Sequence, residues 1–132
     1  MEKRVTFAVK GIVFKDNKFL IVKRKDCTPD VWELPGGHLE FGETAEETIV
    51  REMKEETNLN VKPTSLLETW NSYFHNRQIT GIIYKCEALH YQVKLSDEHS
   101  EYKWISHIDG DFNILHPVFR EKMLEWDWNS II

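Results

Sequence analysis

Glu52, Glu55 and Glu56 crowd into the run Arg51-Glu52-Met53-Lys54-Glu55-Glu56. On a helix turning about 100° per residue they share an arc roughly 100° wide. Glu52 and Glu56 stand at the like-charge i, i+4 spacing, which destabilises a helix unless something offsets it. Arg51, four residues after Glu47 and four before Glu55, offsets part of the repulsion. Water or a cation must take up the rest. Hard divalent cations prefer oxygen ligands, and Mg²⁺ typically takes one or two carboxylates plus substrate phosphates. The competing interpretation is a solvated acidic helix face, the usual fate of a charge run. The surroundings add to the first interpretation. Thr44-Ala45-Glu46-Glu47 fits a capping box, which predicts a helix starting near Ala45. Asn58 stands where the helix should end, in a left-handed C′ conformation. Ile49, Val50, Met53 and Thr57 fall on a neighbouring arc suited to a core. Upstream, Leu34-Pro35-Gly36-Gly37 and Gly42 fix where a loop returns to the helix.

The stretch from Gly37 to Leu59 resembles the signature of the Nudix hydrolases, Gly-x5-Glu-x7-Arg-Glu-U-x-Glu-Glu-x-Gly-U, with U a bulky aliphatic residue. It matches at Gly37, Glu43, Arg51, Glu52, Met53, Glu55, Glu56 and Leu59. Asn58 departs from the family's Gly, and Asn is the next-best residue for a positive φ. Trp32-Glu33-Leu34-Pro35-Gly36-Gly37 looks like the entry to this box in MutT-like members. The resemblance implies the Nudix fold, an α/β architecture with a mixed β-sheet sandwiched between helices. It implies a metal-dependent pyrophosphohydrolase that uses Mg²⁺, with Mn²⁺ as an alternative. Gly37 (through its carbonyl), Glu52, Glu55 and Glu56 are the metal candidates. Glu52, Glu55, Glu98 and Arg51 form the catalytic set: Arg51 orients the glutamates, and Glu55 or Glu98 takes the proton from water. Glu43 anchors the loop or reaches a metal through water.

Other elements must position these groups. Val5, Phe7 and Val9 alternate with Thr6, Ala8 and Lys10, predicting a strand that runs on through Phe14. After the turn Lys15-Asp16-Asn17-Lys18, Phe19–Val22 is its hairpin partner. It ends in Lys23-Arg24-Lys25, where Arg24 is either a soluble strand end or a phosphate contact. Val61–Phe74 is of mixed character with an early break at Pro63, and Leu66-Leu67 and Thr69-Trp70 suggest a third strand. After a turn at Asn76-Arg77 a fourth is expected at Ile79–Leu89, with a short extended piece at Tyr91–Leu95. Trp70 and Tyr73 are candidates for stacking on a base, against the commoner fate of strand aromatics as core. The polar loop Ser96–Glu101 precedes a strand at Tyr102–Ile105. By the same resemblance Glu98 or Glu101 in that loop binds a second metal or acts as base, and either can equally be a solvated carboxylate. Leu115, Val118, Phe119, Met123 and Trp126 recur at helical spacing and predict an amphipathic helix beginning near Pro117. Trp126 belongs in its core, and Trp128 is a candidate for a homodimer contact.

The 132 residues suit one domain over residues 1–132, with a core large enough to need no staples. A net charge of −5 disfavours nucleic acid as the main partner. Cys27 and Cys86 lack metal-ligand spacing, as free thiols in a reducing cytosol do. No apolar run follows Met1-Glu2-Lys3-Arg4, so neither a secretory signal nor a membrane span is expected. The substrate expected is a nucleoside diphosphate linked to a further group, by default a nucleoside triphosphate. ADP-ribose or a nucleotide sugar and dinucleoside polyphosphates are the alternatives. A non-catalytic nucleotide-binding module on the same fold is the rival from another class; the intact acidic positions argue against it.

Overall fold

Alternation along Arg4–Lys15 puts Ala8 and Ile12 on one face and Val9 and Val13 on the other, all buried. This strand, β1, is the centre of the fold. In the computed structural model, which describes residues 2–25 and 27–132, β1 turns at Asp16 and Asn17, both with positive φ. It meets β2 (Lys18–Arg24) over only two pairs, Phe14 with Phe19 and Lys15 with Lys18. Beyond them the strands part. β2 goes on to pair with β3 (Trp32–Glu33) and with β7 (His99–Ile105). β1 pairs antiparallel with β4 (Gly36–His38) and parallel with β6 (Arg77–Ala88). β6 in turn carries the edge strand β5 (Val61–Phe74). The mixed sheet therefore forks, with β1 in one arm and β2 in the other.

Each face of the sheet is covered. Helix α1 (Ala45–Thr57) lays Ile49 and Met53 over Val9, Val13, Leu20 and Tyr84. Gly11 permits this approach: a Cβ there would come within 2.8 Å of the Met53 side chain. On the other face, α2 (Pro117–Met123) and α3 (Trp128–Ile131) bring Phe119, Met123 and Trp128 onto Ile12, Phe19, Ile21 and Trp70. The sandwich of helices about a mixed sheet is as the resemblance implied.

Several local expectations need correction. Val50 is 40% exposed, because the core arc of α1 is narrower than the wheel suggested. The helix predicted through Trp126 stops at Met123, and Trp126 is half-buried, its indole donating to Glu68 Oε1 at 3.1 Å. Trp128 is buried, stacked on Phe19 and His107, so it is a core residue and presents no dimer surface. The β5–β6 turn is His75-Asn76, with Arg77 already in the strand. Pro63 does not end β5. The strand absorbs it at a register shift on the sheet edge, where a missing N–H costs no ladder bond. Tyr91–Leu95 forms no strand, whereas His99–Glu101, expected as loop, begins β7.

Candidate functional site

The fork opens as a cleft of about 870 Å³. Its acidic wall is α1. Thr44 accepts from the Glu47 amide at 3.1 Å and Glu47 bonds back to the Thr44 amide at 3.0 Å, so the expected capping box is present. The expected pairing of Arg51 with Glu47 is therefore replaced. Arg51 instead grips Glu43 through two nitrogens, at 2.7 and 3.0 Å. It also reaches Glu52 at 2.8 Å, Glu55 at 3.2 Å and the His38 carbonyl at 3.1 Å. One planar guanidinium thus ties the loop to the helix and aligns two of the three carboxylates. The Arg51 hydrogen bonds hold the Glu43 carboxyl down at about 2, and Glu43 raises Arg51 above its usual value in return. Burial raises Glu52 against the opposing pull of Arg51. Gly37 packs against that carboxylate: a Cβ on it would lie 2.5–2.7 Å from the Glu52 carboxyl atoms.

Glu56 belongs to a second group. It is buried and accepts from the Gly36 amide at 2.8 Å. Burial pushes its carboxyl up to about 7, with Lys10 opposing. Lys10, itself buried, donates to Glu33 at 3.2 Å and to the Gly36 carbonyl at 3.4 Å. Burial alone would raise Glu33, but Lys10 and His99 overrule it and hold the carboxyl near 2. His99 Nε2 lies 3.1 Å from Glu33 Oε2.

The chain after β6 is led here by the end of the helix. Asn58 closes α1 at φ 68°, as expected, and its side chain donates to the Gln92 carbonyl. The amides of Lys94 and Ser96 donate to the Thr57 and Glu56 carbonyls at 2.9 and 3.1 Å. These bonds use acceptors a helix end leaves open, and they bring Glu98 and His99 beside Glu56. A register shift at Lys23 and Arg24 sets His99 opposite Arg24.

The cleft thus gathers Gly37, Glu52, Glu55, Glu56, Glu98, Arg24 and Trp70 of the expected residues. Glu43 and Arg51 brace it from outside the lining. Glu101 turns to Lys23, at 2.9 Å, which separates it from Glu98. Trp70 lines the cleft but is buried against Phe119; Tyr73, 71% exposed, does not line it. Alternation along β5 explains the difference, since Trp70 and Ser72 share the cleft face. Sequence reasoning passed over Lys10, Glu33, His99 and His116, all cleft-lining. A lone Lys in the apolar alternation of β1 was the available signal. The donor set suits a hard divalent cation: several carboxylates converge, and Gly37 leaves the space they need.

Mixed sheet, helical sandwich and arginine-braced glutamates define a class, and sequence comparison agrees with it. The profile of the NUDIX domain matches residues 4–127, and the chain belongs to that family. It is 40% identical over 97 residues to an ADP-ribose pyrophosphatase of Methanocaldococcus jannaschii, a match covering 71% of this chain and 57% of that protein. It is 36% identical over 83 residues to an 8-oxo-dGTP diphosphatase of Proteus vulgaris, covering 61% of this chain and 74% of the other. A MutT protein of Methanosarcina mazei, known as a crystal structure, superposes with a TM-score of 0.87 at 26% identity over 98% of both chains. The chain spans little more than half the length of the Methanocaldococcus relative. Among the described residues no helix is long and apolar enough to cross a membrane.

Proposed function

We propose that the protein is a divalent-cation-dependent pyrophosphohydrolase that cleaves a phosphoanhydride in a nucleoside diphosphate derivative. The observation that carries this is the bracing of Glu43, Glu52 and Glu55 by Arg51 on the wall of a cleft that also presents Arg24, Lys25 and Arg77. Acidic and basic groups facing each other across one cleft suit a polyanion bound together with a cation. Glu52, Glu55, Glu56 and the Gly37 carbonyl would hold Mg²⁺. When bound, the cation supplies charge neutralisation on phosphate oxygens and a lowered pKa for water. Arg51 keeps the glutamates aligned without touching substrate. Glu55 and Glu98, both exposed to the cleft, are placed to accept a proton from the attacking water. Arg24 holds a phosphate by its planar fork. The base lies toward Trp70, Val118 and Phe119, and Tyr73 drops out of the substrate set.

The default substrate is a nucleoside triphosphate, cleaved to the monophosphate and pyrophosphate. A second reading, ADP-ribose, is favoured by the name of the 40%-identical relative. Chelator-treated protein, assayed with and without added Mg²⁺ or Mn²⁺, decides between them. The panel holds nucleoside triphosphates, 8-oxo-dGTP, ADP-ribose, a nucleotide sugar and a dinucleoside tetraphosphate. Hydrolysis in ¹⁸O-labelled water should place the label in the nucleoside monophosphate or pyrophosphate. Label in orthophosphate as first product overturns the placement. No cation-dependent turnover of any compound overturns the reading and favours a binding module.

A further inference from the structure

One carboxylate oxygen from each of Glu56 and Glu98 and one ring nitrogen of His99 lie within 4.8 Å of one another. Acidic groups alone would say little, but the histidine adds an independent observation. His99 is buried, its Nε2 is engaged with Glu33, and its Nδ1 is buried without a hydrogen-bond partner among the described residues. A buried polar atom left unpaired carries a desolvation cost, which a cation held beside Glu56 and Glu98 would offset. Glu33, fixed by Lys10, can only accept. In the neutral imidazole Nε2 is then the protonated nitrogen, and Nδ1 carries the lone pair. A histidine that ligates a metal commonly donates its other N–H to a carboxylate in this way, which sets the tautomer and the ring orientation.

We propose that His99 is a nitrogen ligand of a divalent cation held together with Glu56 and Glu98, and that this mixed site selects a first-row transition ion over Mg²⁺. The inference rests on reading the acidic cleft as a cation site, and it concerns one end of it. Glu52 and Glu55 are tied to Arg51 and offer oxygen only. Among the described residues, no ion pair or hydrogen bond joins Arg51 to Glu56 or Glu98. Imidazole binds Mg²⁺ poorly and later first-row ions well, following the Irving–Williams order. A cation at Glu56, Glu98 and His99 therefore differs in kind from one held by Glu52 and Glu55 alone.

Co²⁺ is the probe. Proton NMR of the intact protein, with Co²⁺ added and no nucleotide, should show one hyperfine-shifted exchangeable resonance, the His99 Nε2–H, which disappears in D₂O. It should be lost in His99→Gln and kept in His38→Gln and His116→Gln, the other histidines lining the cleft. Calorimetry should find Co²⁺ affinity reduced on the order of tenfold or more in His99→Gln, with Mg²⁺ affinity much less affected. Should His99→Gln fail to fold, persistence of the resonance in the His38→Gln, His116→Gln double variant assigns it to His99. Loss of the resonance in that double variant overturns the proposal. So does bound Co²⁺ with no such resonance, which leaves the acidic cleft a cation site of oxygen ligands. Failure of the wild-type protein to bind Co²⁺ at all overturns both this proposal and the cation reading beneath it.

Discussion

Glu56 is buried beside a lysine and held by a backbone amide, while Glu55, one residue away, is exposed. Their substitutions should therefore separate function from stability. Glu55→Gln and Glu56→Gln are expected to abolish cation-dependent turnover while the circular dichroism spectrum stays normal. Burial disfavours the Glu56 charge, so Glu56→Gln should leave the cation-free melting temperature unchanged or slightly higher. Wild-type rates in saturating Mg²⁺ for either variant would remove that residue from the machinery. Glu33 behaves in the opposite sense. Its carboxyl is held near 2, below its ordinary 4.5, so the native state binds its proton less readily than the unfolded chain. The stability this provides is complete above about 4.5 and is lost as the pH falls toward about 2. Urea denaturation at stepped pH in chelator should show that loss in wild type and a shallower one in Glu33→Gln. Identical slopes would show that Lys10 and His99 do not hold Glu33 ionised. The glutamates of α1 were legible in the sequence because their spacing is local. Lys10, Glu33 and His99 were not, because their contacts join residues far apart in the chain and arise only when β1, β3 and β7 come together.

At the scale of the elements, α1 shows what local sequence can specify. Its cap, its start at Ala45 and its left-handed end at Asn58 all follow from side chains within a turn of each boundary. Asn58→Gly should be neutral or mildly stabilising. Asn58→Val should cost on the order of 1 kcal/mol or more, since a β-branched side chain resists positive φ. Equal thermal midpoints for the Val variant and wild type would contradict the cap. The exposed bond to the Gln92 carbonyl gives Asn58 a use that Gly lacks, fastening the segment leading to Glu98, but it adds little stability because water competes for it. The short strands β3 and β4 were not legible. Two or three residues carry no periodicity, and their pairing is imposed by β2 and β1. The end of α2 was misjudged for a related reason. Trp126 continues the 3.6-residue rhythm of Val118, Phe119 and Met123, but the chain turns at Leu124 to bring Trp128 into the core.

At the scale of the molecule, the two cores lie on opposite faces of one sheet, and the aromatic one depends on α3. Trp128 packs against Phe14, Phe19, Phe112 and Trp126 and donates to the Met123 carbonyl at 3.0 Å. Trp128→Ala should lose about 3–5 kcal/mol, read by urea denaturation, with no change in oligomeric state at concentrations where the variant stays folded. A loss below about 1 kcal/mol, or a change in sedimentation, would return Trp128 to the surface. The layer order was legible from resemblance and the forking of the sheet was not, since strand periodicity says which face is buried but not which strand lies alongside. The fork has a consequence in time. Arg4 pairs with Arg77 and Val13 with Cys86 in the parallel β1–β6 ladder, so one arm must wait for a long stretch of chain to be synthesised. The β1–β2 hairpin and the capped helix α1 can form early from local contacts, whereas distant parallel pairing is slow. In a nascent chain the glutamates therefore emerge on a helix that is at most partly formed, before the opposing wall of the cleft exists, and the binding site is completed only when the late strands dock.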